Sequence, residues 1–123
     1  MYKKKIAIIC DYILIPERIG GMDRFYLLFD KKLKELNYEV DWYVTYYNKF
    51  HFYDNLTITS ANGNSVEQKF IEVSKNRNYD IIVTHFTQLC TKYYKYYKSL
   101  HKNAYVLAVD HNPIHQIPYR HRL

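Results

Sequence analysis

The sequence predicts an α/β protein, a Rossmann-like three-layer sandwich with a mainly parallel sheet. Three observations lead to this prediction: short apolar runs without polar alternation, amphipathic stretches between them, and a spacing typical of β-α-β units. Apolar runs of this kind suit strands that are covered on both faces. The crossover connections between such strands are expected to be right-handed.

The composition bounds the class of protein. The chain has 123 residues, of which 48% are hydrophobic, enough for one domain with its own core. We expect a single Rossmann-like domain over residues 1–123 that is incomplete at its C-terminal end, where residues 112–123 form a connecting segment. The apolar runs are shorter than the roughly 20 residues of a membrane span. The start MYKKKIAIIC is too short for a signal peptide, so the expected location is the cytoplasm.

The first β-α unit has a long predicted loop. The run KIAIIC, from Lys5 to Cys10, predicts a strand, and a loop is expected from Asp11 to Gly21 because this stretch contains Pro16 and two adjacent glycines. Apolar residues then recur at spacings of three and four from Met22 to Leu36, which predicts a helix. Asn37 is expected to close this helix in a left-handed conformation.

Further strands are predicted from runs rich in β-branched and aromatic residues. These strands are EVDWYVTY at 39–46, LTIT at 56–59, IIVTH at 81–85 and YVLAVDH at 105–111. A loop is expected from Tyr47 to Asn55, between the first two of these strands.

Two further helices are predicted between these strands. Ser65 and Gln68 have the spacing of a capping box, so the second helix is expected to begin there. A third helix is predicted from an apolar stripe at helical spacing. Its inward residues are Leu89, Tyr93, Tyr96 or Tyr97, and Leu100, and its exposed residues are Lys92, Lys95, Lys98 and Lys102.

The ends of the predicted strands are the candidate site. In open α/β sheets, ligands bind outside the carboxyl ends of the strands, near the point where the strand order reverses. The residues at these ends are Asp11, His85, Asp110 and His111.

The pair Gly20 and Gly21 opens the first helix. Two residues without Cβ allow a ligand to approach the backbone closely, and the helix start offers free amides and the positive end of a dipole. A phosphate or diphosphate fits such a place. A tight turn into the helix, without any ligand, is the alternative interpretation.

Other phosphate and metal motifs are missing. The sequence has neither GxGxxG nor GxxxxGK[ST], which disfavours nicotinamide chemistry and P-loop hydrolysis. Asp110, His111 and His115 are candidate metal ligands, but Pro113 lies between the two histidines, so they cannot form a helical ligand pair. No metal or other cofactor is expected.

The two cysteines, Cys10 and Cys90, are expected to be buried small hydrophobes. Cys90 and His85 could be proposed as a nucleophile and its base. They are five residues apart across a strand-to-helix turn, and nothing in this spacing brings them face to face, so this pair is disfavoured.

Several segments, in this order, resemble the N-terminal domain of GT-B fold glycosyltransferases, and most of all the large retaining family 4. They are the basic start, the short apolar strand, the Gly-Gly loop with its helix, LNYEV where GHEV is more usual, YDIIVTH and YVLAVDHNP. The resemblance extends from Lys4 to Pro113. It implies transfer of a sugar from a nucleotide-sugar donor to a polysaccharide or glycolipid acceptor, in a cleft between two Rossmann-like domains.

The resemblance also implies roles for individual residues. Gly20 and Gly21 match the loop that lies against the donor diphosphate, and His111 matches the catalytic histidine that contacts the donor sugar. The cleft-lining or acceptor positions are His85, Arg18, Arg24 and Asp110. The second domain of the family, with its pair of glutamates, has no counterpart here. The chain alone is therefore expected to be inactive and to need a C-terminal domain, in cis or on a partner subunit.

A non-catalytic function is the alternative. The net charge is +6, and the stretch TKYYKYYK at 91–98 alternates tyrosine with lysine. Such a face can bind an anionic partner, either a nucleic acid or a membrane surface. Some tyrosines fall on the core side at helical spacing, which favours a plain solvated basic face over nucleic-acid binding. Peripheral contact with an anionic membrane is a variant that would suit a lipid-linked acceptor. A receiver-like module is disfavoured because Asp11 is the only acid after the first strand.

Overall fold

The fold is built on one parallel sheet. The computed structural model describes residues 3–85 and 91–109, without the side chains of residues 91 and 92. Its five strands lie in the order β3-β2-β1-β4-β5, and every neighbouring pair is parallel, which confirms the predicted Rossmann-like α/β class. The strands are β1 (Lys5–Leu14), β2 (Glu39–Tyr47), β3 (Thr57–Ser60), β4 (Ile81–His85) and β5 (Tyr105–Val109), and the helices are α1 (Gly21–Glu35), α2 (Val66–Ser74) and α3 (Thr91–Leu100).

The central strand β1 is buried on both faces. Ile6, Ile8 and Cys10 pack in the core on the α1 side, whereas Ala7 and Ile9 pack in a second core under α2 and α3. This alternation follows from the two-residue period of a strand. The helices therefore cover both faces of the sheet, as a three-layer sandwich requires.

The first strand is longer than predicted. The expected loop from Asp11 to Gly21 is wrong over its first residues, because β1 continues to Leu14. After a register irregularity between Cys10 and Ile13, Ile13 pairs with Tyr46 and Leu14 with the next residue of β2. The apolar run that predicts this strand ends at Cys10, and pairing that resumes beyond a bulge leaves no such run in the sequence. A short 3-10 turn, Pro16–Arg18, then leads to α1.

Helix α1 is fixed to the sheet through a buried carboxylate. Asp30, which is 2% exposed, accepts a hydrogen bond of 3.0 Å from the indole Nε1 of Trp42 on β2. Its other oxygen lies 2.7 Å from Nζ of Lys34, one turn along the helix. Both oxygens are thus partnered, as a buried charge requires.

The end of α1 is a Schellman motif. Asn37 has a φ of 69°, which confirms the predicted left-handed cap. Its N–H donates to the carbonyl of Lys34 at 3.0 Å, and the N–H of Tyr38 donates to the carbonyl of Leu33 at 3.0 Å. These two bonds satisfy carbonyls that the helix leaves without partners.

The other two helices cover the second face of the sheet. The predicted cap of α2 is confirmed, since the Ser65 hydroxyl accepts from the N–H of Gln68 at 3.2 Å. On α3, Tyr97 is fully buried and Tyr96 is 46% exposed, so the inward residue of the two is Tyr97. The core beneath these helices also holds Phe70.

Two expectations for α3 are wrong. Leu100 is 36% exposed, because the inward line continues from Tyr97 to His101, four residues on, whose Nε2 lies 3.1 Å from the Ser74 hydroxyl. Lys98 is half-buried, and its Nζ donates to the carbonyl of Ala104 at 2.6 Å. This lysine therefore ties the end of the helix to the start of β5.

We expect Asn37→Val to destabilise the protein by about 1–2 kcal/mol, because a β-branched residue is strained in the left-handed region. Asn37→Gly is expected to be neutral or slightly stabilising. Urea denaturation measures the free energy of unfolding. Asn76→Val is the matched control, since Asn76 is also exposed in a turn but lacks a positive φ. An equal loss of stability in both valine variants would show that the left-handed conformation of Asn37 is not the cause.

Candidate functional site

Three polar side chains meet where the strand order of the sheet reverses. Cys10, the last residue of β1 before its register irregularity, is the register partner of His85, the last residue of β4. Tyr26 of α1 lies over both of them. Its hydroxyl oxygen is 3.2 Å from the Cys10 Sγ and 3.0 Å from the His85 Nδ1, and the Sγ to Nδ1 distance is 3.7 Å. All three side chains are at least 97% buried.

Burial sets the chemistry of this cluster. It raises the pKa of the Cys10 thiol to about 12, so the thiol stays protonated at neutral pH. Burial and the neighbouring Cys10 also raise the pKa of Tyr26 above its usual range. The thiol can therefore donate to the tyrosine oxygen, and the tyrosine O–H can donate to Nδ1 in the His85 tautomer that carries its proton on Nε2. The cluster links α1 to two strands and supplies no activated nucleophile.

Gly20 and Gly21 stand at the start of α1, and neither has a backbone conformation that requires glycine. Gly20 is extended, with φ −154° and ψ −157°, and Gly21 is the first helical residue. Among the described residues, a Cβ on Gly21 would meet no atom within 4 Å, and one on Gly20 would meet only the Arg18 carbonyl oxygen, at 4.0 Å. The packing of residues 3–85 and 91–109 thus does not demand glycine at either position.

A buried carboxylate lies inside this helix start. Asp23 is fully buried and accepts a hydrogen bond of 2.8 Å from the N–H of Gly20, and a second one from the hydroxyl of Tyr53. A negative charge in the first turn of a helix is favourable. The Gly20 amide is consequently occupied within the chain, while the N–H groups of Gly21 and Met22, in the first turn, have no acceptor within the helix.

Two exposed arginines flank the glycine pair. Arg18 and Arg24 are both exposed, and the guanidinium carbon of Arg18 lies 5.9 Å from the centre of the Tyr12 ring. This distance is within the range of a cation–π contact. Both arginines lie three residues from the exposed Gly21 along the chain, one on each side of it.

The predicted site residues are only partly brought together. Gly20, Gly21 and His85 are linked through α1, because Tyr26 bonds His85 from within the same helix. His85 itself is 3% exposed and stacks near Phe25, at 6.3 Å between ring centres, so its ring faces the interior.

Several predicted residues lie outside the described part of the chain. These are Asp110, His111, His115, Leu89 and Cys90. Among the residues that the structure does describe, no three His, Cys, Asp or Glu side chains lie close enough to hold a metal ion. None of the helices found there combines the length and apolar character that crossing a membrane requires.

Sequence reasoning missed the residues that connect the site. Tyr26 was not distinguished from the other aromatic residues of its helix, and no local pattern relates Asp23 to Tyr53, 30 residues later. One usable signal existed. An acid three residues after the N-cap, as Asp23 is after Gly20, is the second half of a capping box.

A wider groove lies away from this site. It has a volume of about 670 Å³ between α1 and the segment before β3, and its lining includes Leu27, Asp30, Lys34 and Phe52. Its buried acid, Asp30, already bonds Trp42 and Lys34. The lysine Nζ also donates to the carbonyl of Asn55 at 2.6 Å. The other polar side chains of the lining, Lys31, Glu35 and Asn55, are exposed to solvent.

No family model matches the chain, and no curated protein matches it at a significant level. The resemblance to glycosyltransferases accordingly stays a prediction, and its support must come from the chemistry of the residues described above.

We expect the Cys10 thiol to be unreactive in the folded protein. A rise of the pKa from 9.0 to about 12 lowers the thiolate fraction about 1000-fold at pH 8. Alkylation by iodoacetamide in a Cys90→Ser variant, where Cys10 is the remaining cysteine, is therefore expected to be slower by at least this factor in buffer than in 8 M urea. Similar rates in both solutions would show that Cys10 is accessible and ionisable.

Proposed function

We propose that this chain is the N-terminal, acceptor-side domain of a GT-B glycosyltransferase. The enzyme would transfer a sugar from a nucleotide-sugar donor to a polysaccharide or glycolipid acceptor. The observation that carries the proposal is the glycine pair before α1. Neither its backbone conformation nor its packing against the part of the chain that the structure describes requires glycine, and Gly21 is exposed. Close approach of a ligand to the backbone explains the missing side chains.

The ligand best suited to this place is the donor diphosphate. When a nucleotide sugar reacts, the leaving diphosphate gains negative charge, and amides fixed in advance stabilise that charge. The N–H groups of Gly21 and Met22 are the available donors, with Arg18 and Arg24 nearby. Asp23 opposes an anion by its charge, but its two oxygens are held inward by Gly20 and Tyr53.

The remaining parts of the active site lie elsewhere in the proposed enzyme. His111, expected to contact the donor sugar, and Asp110 fall outside the described residues. The nucleotide contacts are expected from a second domain. On this proposal the 123-residue chain binds a donor weakly and transfers no sugar by itself.

A second candidate function rests on the exposed side of α3. Tyr94 and Tyr96 are 45% and 46% exposed, and Lys95 between them is exposed as well. Together with the net charge of +6, this supports a binding module for an anionic surface, with a membrane as the favoured partner.

We expect Gly21→Ala to weaken binding of UDP or GDP at least tenfold, because a methyl group would stand between the ligand and the helix amides. The wild-type affinity is expected in the millimolar range, since half of the site is present. The same variant is expected to be as stable as the wild type or up to about 1 kcal/mol more stable, because alanine is the better helix former. Saturation-transfer NMR measures binding, and urea denaturation measures stability.

Gly63→Ala provides the opposite control. Gly63 has a φ of 88°, so alanine there is expected to lower the stability and to leave nucleotide binding unchanged. Equal affinities in the wild type and in Gly21→Ala, or no wild-type binding at millimolar nucleotide, would contradict the proposed donor site.

A further inference from the structure

A cavity of about 160 Å³ lies between α1 and the sheet. Its lining combines aromatic rings from α1 and β2 with aliphatic side chains from β1, β4 and β5. The lining residues are Ile8, Phe25, Phe29, Trp42, Val83 and Val109, with Tyr26 and His85 at one end.

Exposed apolar side chains lie beside this cavity. On the α1 side of β5, Tyr105 is 75% and Leu107 is 52% exposed, and these two residues are the register partners of cavity-side positions on β4. On α1, Phe25 is 38% exposed, and Leu28, three residues along the same flank, is 54% exposed. Parallel sheets are normally covered on both faces, so this exposed apolar surface is unusual. Because Phe25 both lines the cavity and is partly exposed, the apolar surface continues from solvent to the cavity.

We infer that this cavity binds an uncharged hydrocarbon group of about the size of one ring, carried by a small molecule or by a lipid. The volume supports this, because an apolar protein cavity of about 150 Å³ holds benzene. The rings of Phe25, Phe29 and Trp42 suit an aromatic or branched apolar guest. This site is separate from the proposed diphosphate site and does not depend on it.

Three polar groups at the end of the cavity bond one another. The Tyr26 hydroxyl and the His85 Nδ1 bond each other at 3.0 Å, and Cys10 completes their cluster at 3.2 Å from the hydroxyl. A charged or strongly polar group would lose its hydration among apolar walls. The inference is thus specific for a hydrocarbon.

Trp42 makes the inference directly testable. It is the only tryptophan of the chain, it is 1% exposed, and it lines the cavity. Bromobenzene in the cavity would quench its fluorescence by heavy-atom contact. We expect saturable quenching by bromobenzene, and recovery of the emission when benzene, which does not quench in this way, is added as a competitor.

Cavity-filling variants separate binding from collisional quenching. Val83→Phe is expected to abolish the saturable quenching while far-UV circular dichroism and the Trp42 emission maximum are kept. Val109→Leu is a smaller change and replaces Val83→Phe if that variant does not fold. It is expected to weaken the saturable quenching. Val73→Phe on α2 is the matched control, because Val73 packs against the core on the opposite face of the sheet. Linear, non-saturable quenching in the wild type, or equal quenching in wild type and the cavity variants, would overturn the inference.

A second arm identifies the source of the hydrocarbon. Vesicles of phosphatidylcholine with brominated acyl chains are added in place of bromobenzene. Quenching by the vesicles that Val83→Phe removes assigns the site to a lipid chain. Saturable quenching by bromobenzene alone assigns it to a small molecule.

Discussion

The double burial of β1 is the constraint on which the rest of the structure depends. β1 pairs with β2 on one side and β4 on the other, and both of its faces lie in the core. The strand order reverses between β1 and β4, where Cys10 of β1 lies beside His85 at the end of β4. β1 continues to Leu14, and the chain then leads to α1 through the turn Pro16–Arg18. The position of the glycine pair is a consequence of this topology.

Buried polar contacts then fix α1 in place. Tyr26 joins Cys10 and His85, Asp23 joins Tyr53, and Asp30 joins Trp42. Each contact reaches a different strand or loop. A helix held at three points along its length presents its first amides in a fixed direction, which is the preorganisation that binding an anion without reorganisation requires.

The fold could be predicted from the sequence because its signals are local. Apolar runs, helical stripes and the caps at Ser65 and Asn37 each act within a few residues. The extension of β1 could not, since it depends on pairing between Ile13 and Tyr46 across a bulge. The same holds for the site: glycine and strand-end positions are visible in the sequence, whereas the contact of Tyr26 with His85 joins residues 59 positions apart. That Cys10 lies beside His85 follows only from the strand register.

The most direct test of the account is the map of backbone amide shifts of the wild-type chain, recorded by NMR during titration with UDP and GDP, and with inorganic phosphate for comparison. We expect the largest nucleotide-dependent changes on the amides of Gly21 and Met22, and we expect these changes to exceed those caused by phosphate. Changes centred on Tyr94 to Tyr96 of α3 would contradict it and favour a module for anionic surfaces. Changes at neither place would contradict both functions.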